Sequence, residues 1–386
     1  MPSLEEKIRD KSAKVGVVGL GYVGLPLALA FSEAGFEVLG FDIQQKRVDW
    51  VNQGESYMPD VANDRLSAVL ASGALEATVD QGRLGEVDAI CICVPTPLTK
   101  AKEPDLSHVI HESEEISKRL HQGQLVVVES TTYPGTTREV VLPILERSGL
   151  KAGSDFYLAF SPERIDPGSK NYSIGNTPKI VGGIDPQSTR LAGLLYSEVA
   201  EVVVPVSCPE VAEMTKVFEN VFRSVNIALV NELAQLCERM GISVWEVIDA
   251  ASTKPFGYMP FYPGPGVGGH CIPLDPYYLA SKAREYDFHT RFIALAAEIN
   301  EHMPYYVASR IMEALGTQGK SLSGAKILVL GAGYKKDAAD IRVSPSLKLI
   351  ELLQQRGADV SYNLSLGLRL LSLPLLYHHA SHRLSR

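Results

Sequence analysis

Long apolar runs are missing from this chain. No stretch of about eighteen apolar residues occurs among its 386, which excludes the pattern of a transmembrane helix. The opening segment, MPSLEEKIRDKSAK, lacks the apolar core of a secretory signal. An excess of positive charge is missing too. Lys and Arg number 37 against 45 Asp and Glu, a net charge of −8, which argues against broad nucleic-acid binding. Cysteine is scarce and odd in number: Cys91, Cys93, Cys208, Cys237 and Cys271 are scattered, with no Cys/His spacing for a zinc site and no disulfide framework. No metal is expected, and a reducing cytoplasm is the simplest home. What remains is ordinary for a globular chain, with 45% hydrophobic and 21% charged residues, which excludes a disordered or collagen-like protein. At about 150 residues per domain, the length suggests two or three domains.

Residues 14 to 42 carry the clearest local pattern. A short apolar strand, Lys14 to Val18, runs into Gly19-Leu20-Gly21-Tyr22-Val23-Gly24. An apolar helix to Ala34 follows, then a second strand, Phe36 to Phe41, ending at Asp42. Strand, G-x-G-x-x-G, helix, strand and acid in this order are a dinucleotide-binding beginning. Gly19 permits the tight turn, Gly21 lets the backbone approach a pyrophosphate, and Gly24 allows close helix–strand packing. Tyr22 and Val23 lie in the same cofactor loop. Asp42 can accept from both ribose hydroxyls and would repel a 2′-phosphate, so NAD is favoured over NADP. Arg47 either covers the adenine ribose or is a solvated helix charge. Further strands are expected at Ala89 to Val94, Gln124 to Glu129, Phe156 to Phe160 and Lys179 to Val181. The turns after the first two hold Thr96 and Thr131, at strand ends where open α/β sheets bind ligands.

From Pro209 the period becomes helical. Val211 to Met240 is one long helix, apolar on more than one face, as suits a domain or subunit boundary. A Gly/Pro-rich loop spans Pro255 to Cys271, and helices follow near Asp275 to Tyr286 and Arg291 to Leu315. A second strand, glycine turn and helix begins at Lys326 and reaches Tyr362. After Asn363 the chain turns rich in Leu, Ser, Arg and His, without Asp or Glu, and no further strand is expected. The expected architecture is α/β: an N-terminal Rossmann dinucleotide-binding domain (1–207), a central all-helical domain with a long helix (208–318), and an incomplete second Rossmann-like domain (319–386) with an atypical tail (364–386).

Three sets of residues could carry chemistry. Cys271 follows Gly268-Gly269-His270, and neighbouring glycines would let a substrate approach its sulfur; a lone cysteine in apolar surroundings is also commonly inert. Lys216 and Asn220, four apart, share a face of the long helix with Glu213 and Arg223 nearby. They could stabilise an oxyanion and hold a water, or be a solvated polar stripe. Glu163 follows a strand and could act as a base toward water, or be a loop acid. Asp275 could orient a partner or complete a helix N-terminus.

Together GLGYVGLPLA, SPERIDPG, EMTKVFENVFR, GPGVGGHCIPLDP and GAGYKKDAADIRVSPS resemble the UDP-glucose/GDP-mannose dehydrogenase family, from about Lys14 to Asn363. ESTTYPGTT, FSPERIDPG and PFYPGPGVGGHCIP look closer to its UDP-N-acetylhexosamine 6-dehydrogenases. The resemblance implies a four-electron oxidation of the C6 alcohol to a carboxylate with two NAD. Cys271 would hold a thiohemiacetal and then a thioester. Lys216 matches an oxyanion-stabilising lysine, Asn220 and Asp275 match residues that position lysine and water, and Glu163 matches the glutamate of base chemistry. Thr131, with Thr132 as the alternative, matches a threonine near the reacting carbon. Lys335 matches a substrate-side lysine, and Arg164, Tyr262 and Gly268 fall in the motifs on that side. A UDP-sugar and a homo-oligomer, at least a dimer, are the implied partners. The short C-terminal match leaves a weakened UDP site as one expectation, and a non-catalytic chain that binds NAD or oligomerises as the alternative. β-Hydroxyacid and 6-phosphogluconate dehydrogenases also place Lys and Asn four apart on a long helix, but GGHCIPLD sets this chain apart from them.

Overall fold

The computed structural model describes residues 2–58, 61–99, 101–165, 171–269, 272–334, 341, 343–363 and the backbone of 371–372. The chain forms two compact units, Met1–Phe218 and Glu219–Arg386.

The first unit alternates strands and helices. Its strands are β1 (Lys14–Val18), β2 (Glu37–Phe41), β3 (Leu75–Thr78), β4 (Ala89–Ile92), β5 (Leu125–Val128), β6 (Tyr157–Phe160), β7 (Lys179–Gly183) and β8 (Val203–Pro205). Its helices are α1 (Leu4–Arg9), α2 (Gly24–Glu33), α3 (Gln45–Asn52), α4 (Asn63–Ala71), α5 (Ser107–Ser117), α6 (Leu142–Leu145) and α7 (Pro186–Tyr196). The strands make one eight-stranded sheet in the order β3-β2-β1-β4-β5-β6-β7-β8, whose first six strands have the doubly wound arrangement. Pairing is parallel except between β6 and β7. The strands read as continuous apolar runs because both faces are covered. Along β4, Ala89 and Cys91 enter one core while Ile90 and Ile92 enter the other. Cys91 and Cys93 are buried thiols, as their apolar run predicts.

The long helix α8 (Pro209–Met240) leaves the first unit and enters the second. There follow α9 (Val244–Ala251), α10 (Asp275–Arg284), α11 (Arg291–Gly316), β9 (Lys326–Leu330), α12 (Pro345–Gln355) and β10 (Asp359–Asn363). A core that includes Ala308, Leu322, Leu349, Leu353 and Val360 joins α11 to the β9-α12-β10 unit. The tail, for which no further strand is expected, contributes a two-residue strand, β11 (Leu371–Ser372), antiparallel to β10. Cys271, His270, Lys335 and the rest of the tail lie outside the described residues.

Candidate active site

The cofactor loop has the geometry its glycines require. Gly19 has φ +91°, a conformation that L side chains rarely adopt. A Cβ on Gly24 would come within 1.9 Å of the Gly19 carbonyl oxygen, so the helix can start only from glycine. Gly21 has nothing within 4 Å of where its Cβ would be, so its open side can accept a ligand. No side chain caps α2, which leaves its N-terminus to an anion. Asp42 is buried after β2 and accepts from the Leu20 N–H at 3.0 Å and the Gln44 N–H at 2.9 Å. Arg47 pairs with the same carboxylate at 3.2 Å and lies over the Tyr57 ring, so it braces Asp42 and is not a freely solvated charge. The donor set and the open glycine face fit a dinucleotide.

The two threonine turns are tied together. Thr96 Oγ1 donates to the Thr131 carbonyl at 2.6 Å, and Ser130 Oγ reaches the Val94 carbonyl at 2.8 Å. Thr131 is half-buried, whereas the Thr132 hydroxyl is buried and has no hydrogen-bond partner among the described residues.

Glu163 sits on the loop after β6. Its Oε1 accepts from the Arg164 and Ile165 N–H groups at 2.7 and 2.6 Å, and its Oε2 lies 3.6 Å from Lys179 Nζ. Arg164 turns its Nη1 to the Pro178 carbonyl at 2.7 Å. Lys179 is buried and donates to Glu129 Oε2 at 2.5 Å. Burial disfavours its ammonium, and the carboxylates of Glu129 and Glu163 outweigh that, so its pKa stands above the ordinary lysine value. Sequence reading missed this pair, because it treats Lys179 only as the opening of a strand.

On α8 the polar face is a row of separate tasks. Glu213 accepts from the Gly135 N–H at 2.6 Å, the Thr137 N–H at 2.8 Å and the Thr137 hydroxyl at 2.7 Å, which pins the loop that follows the Thr131 turn. Burial pushes its carboxyl up to about 7 against those donors. One turn on, Lys216 is only 7% exposed and makes no hydrogen bond or ion pair with the described residues. A buried ammonium without a partner is costly, and it calls for an anionic or carbonyl ligand. A solvated polar stripe, the alternative for this face, does not fit that burial.

Within the second unit, Asn220 donates to Asp275 Oδ2 and accepts from Arg223 Nη2. The amide is thus locked as a bridge, and Asp275, buried at the start of α10, is its partner. The glycine loop is held by a buried amide chain that sequence reading did not identify. Gly264 N–H donates to Asn231 at 2.9 Å, Asn231 donates to Asn300 at 2.9 Å, and Asn300 donates to the Ser224 carbonyl at 3.0 Å. Gly268 makes room for this chain's own Tyr334, Val343 and Pro345, all within 2.8 Å of its absent Cβ. Its immediate role is therefore loop packing. Tyr262 is exposed, stacks on Trp245 and donates to Asp249 at 2.8 Å.

Residues 13–200 match the NAD binding domain of the UDP-glucose/GDP-mannose dehydrogenase family, residues 210–302 its central domain and residues 328–363 its UDP binding domain. The chain belongs to this family. It is 39% identical to UDP-N-acetyl-D-glucosamine 6-dehydrogenase of Pseudomonas aeruginosa, over 91% of this chain and 82% of that one. The structure of UDP-N-acetyl-D-mannosamine dehydrogenase from Pyrococcus horikoshii superposes with a TM-score of 0.86 at 38% identity, covering 90% of this chain and 82% of that one. A UDP-glucose dehydrogenase from Pyrobaculum islandicum superposes with a TM-score of 0.82 at 28% identity, covering 91% and 81%. Among the described residues no helix is long and apolar enough to cross a membrane.

Proposed function

We propose that this chain is an NAD-dependent UDP-N-acetylhexosamine 6-dehydrogenase. The observation that carries the reading is Lys216, a buried cation without a partner among the described residues, one helical turn before the locked Asn220. The higher identity to N-acetylhexosamine enzymes than to the UDP-glucose enzyme supports the substrate class. Bound NAD supplies the hydride acceptor, two equivalents per sugar. The net reaction converts a CH2OH group, two NAD+ and one water into a carboxylate, two NADH and three protons. Cys271 holds the aldehyde as a thiohemiacetal, oxidation leaves a thioester on its sulfur, and water cleaves the C–S bond to release the carboxylate and the thiol. Lys216 faces the oxygen that gathers negative charge in these steps. In this reading Asn220, fixed by Asp275 and Arg223, positions the lysine and water, and Glu163 orients the attacking water. Of the two threonines, the buried hydroxyl without a partner among the described residues favours Thr132 over Thr131 as the group at the reacting carbon. Lys335 acts on the substrate side. A reduced Cys271 fits a cytoplasmic setting.

Replacing Lys216 by Met keeps the stem and removes the charge. We expect NAD binding to stay within about twofold and kcat for UDP-N-acetylglucosamine to fall about 10²-fold or more, the size of a lost oxyanion donor. Steady-state kinetics beside NAD titration checks this, and an unchanged kcat contradicts the role.

We also infer a homo-oligomer. Met214, Phe218, Phe222, Leu229, Leu236 and Met240 form an exposed apolar stripe at helical spacing along α8. Such a stripe suits a second copy, the other side of the helix being buried in its own chain. The account expects a dimer mass by light scattering and a monomer mass for Phe218→Asp/Leu229→Asp. A monomeric wild type contradicts it.

A further inference from the structure

We propose that Lys179 and Glu129 form a buried positioning pair that fixes the orientation of the Glu163 carboxylate. The pair exists because of one reversal in the sheet. Strands β5 and β6 run parallel, so Glu129 and Glu163 both emerge at their carboxyl ends. Strand β7 runs antiparallel to β6, so its first residue, Lys179, begins at that same end. Helix α7 brings Tyr196, its last residue, to the far side of Glu129, where the phenol donates to Oε1. The ammonium therefore sits between two carboxylates, 2.5 Å from Glu129 and 3.6 Å from Glu163, and 4.9 Å from the centre of the Tyr196 ring.

A buried ion pair adds little net stability over an apolar pair of similar size. Here the pair does something an apolar pair cannot, since it places a fixed positive charge against the one member that is partly open to solvent. The backbone holds one Glu163 oxygen through two N–H donors, and Lys179 faces the other. The other titratable groups packed around the pair are Cys91, whose sulfur is 3.5 Å from the Tyr196 hydroxyl, and Cys93, both buried, together with the Arg164 guanidinium, which turns to the Pro178 carbonyl. The inference rests on the proposed role of Glu163 in orienting water for thioester cleavage.

Lys179→Met/Glu129→Gln removes both charges and leaves no buried carboxylate unpaired. In a crystal structure of this variant the Glu163 side chain should leave the place it holds beside residue 179, whereas Lys179→Arg, which keeps the charge, should leave it there. A carboxylate unmoved in the double variant overturns the proposal. A kinetic cycle then tests the role of Glu163 separately. The double variant should lose about 10- to 100-fold in kcat with KM within about twofold, and adding the same changes to Glu163→Gln should cost nothing more. If Glu163→Gln alone leaves kcat unchanged, the role of Glu163 in turnover fails, while the crystal structure still decides the positioning pair.

Discussion

Glu213 and Lys216 lie on one face of α8, and both are buried, yet only Glu213 has partners among the described residues. Glu213 secures the loop at Gly135–Thr137, and its carboxyl is pushed by burial from 4.5 to about 7. The folded state therefore binds that proton more tightly than the unfolded chain. The stability it contributes is full below the unfolded value and is lost as pH rises toward 7, at most about 3 kcal/mol. Glu213→Gln mimics the neutral acid, so the difference in melting temperature between variant and wild type should grow in the variant's favour from pH 5 to 7.5. Thermal melts across that range check it, and a constant difference contradicts it. At this scale the sequence was legible where a residue's neighbours are local: Gly19 and Gly24 have the backbone geometry that a tight turn and a close helix start require. It was not legible for Glu129 and Lys179, which are 50 residues apart and meet only through the sheet.

The long helices and the strands that run into a glycine turn were read well, and two short strands were not. The expected β1, α8, α11 and β9 agree with the observed spans within a few residues. Strands β3 and β8 were missed. The first is four residues with a charged alternate, and the second is three largely exposed residues ending in a proline. The junction before α12 holds a feature no pattern announces. Val343 is β-branched yet has φ +55°, and its carbonyl accepts the Gly269 N–H at 3.3 Å. Its side chain is exposed, so the strained backbone is held by the loop contact and not by burial. Asparagine tolerates that conformation better, so Val343→Asn should stabilise the chain by about 1 kcal/mol. Chemical denaturation measures this, and a loss of similar size would mean that the valine is not strained.

At the scale of the molecule, the chain carries a complete dinucleotide-binding sheet, a central helical segment and a β9-α12-β10 unit matching the UDP binding domain. Nucleotide binding energy normally helps to place the reacting carbon, so the extent of the uridine contacts bears on both KM and kcat. The central claim is a four-electron oxidation that passes through a covalent cysteine adduct. Its most direct measurement is the amount of NADH formed per UDP-N-acetylglucosamine consumed by the 386-residue chain, beside Cys271→Ala. The account predicts two NADH and one carboxylate per sugar for the wild type, and no carboxylate for the variant. One NADH per sugar with free aldehyde as the product, or a Cys271→Ala variant that still forms the acid, would contradict it.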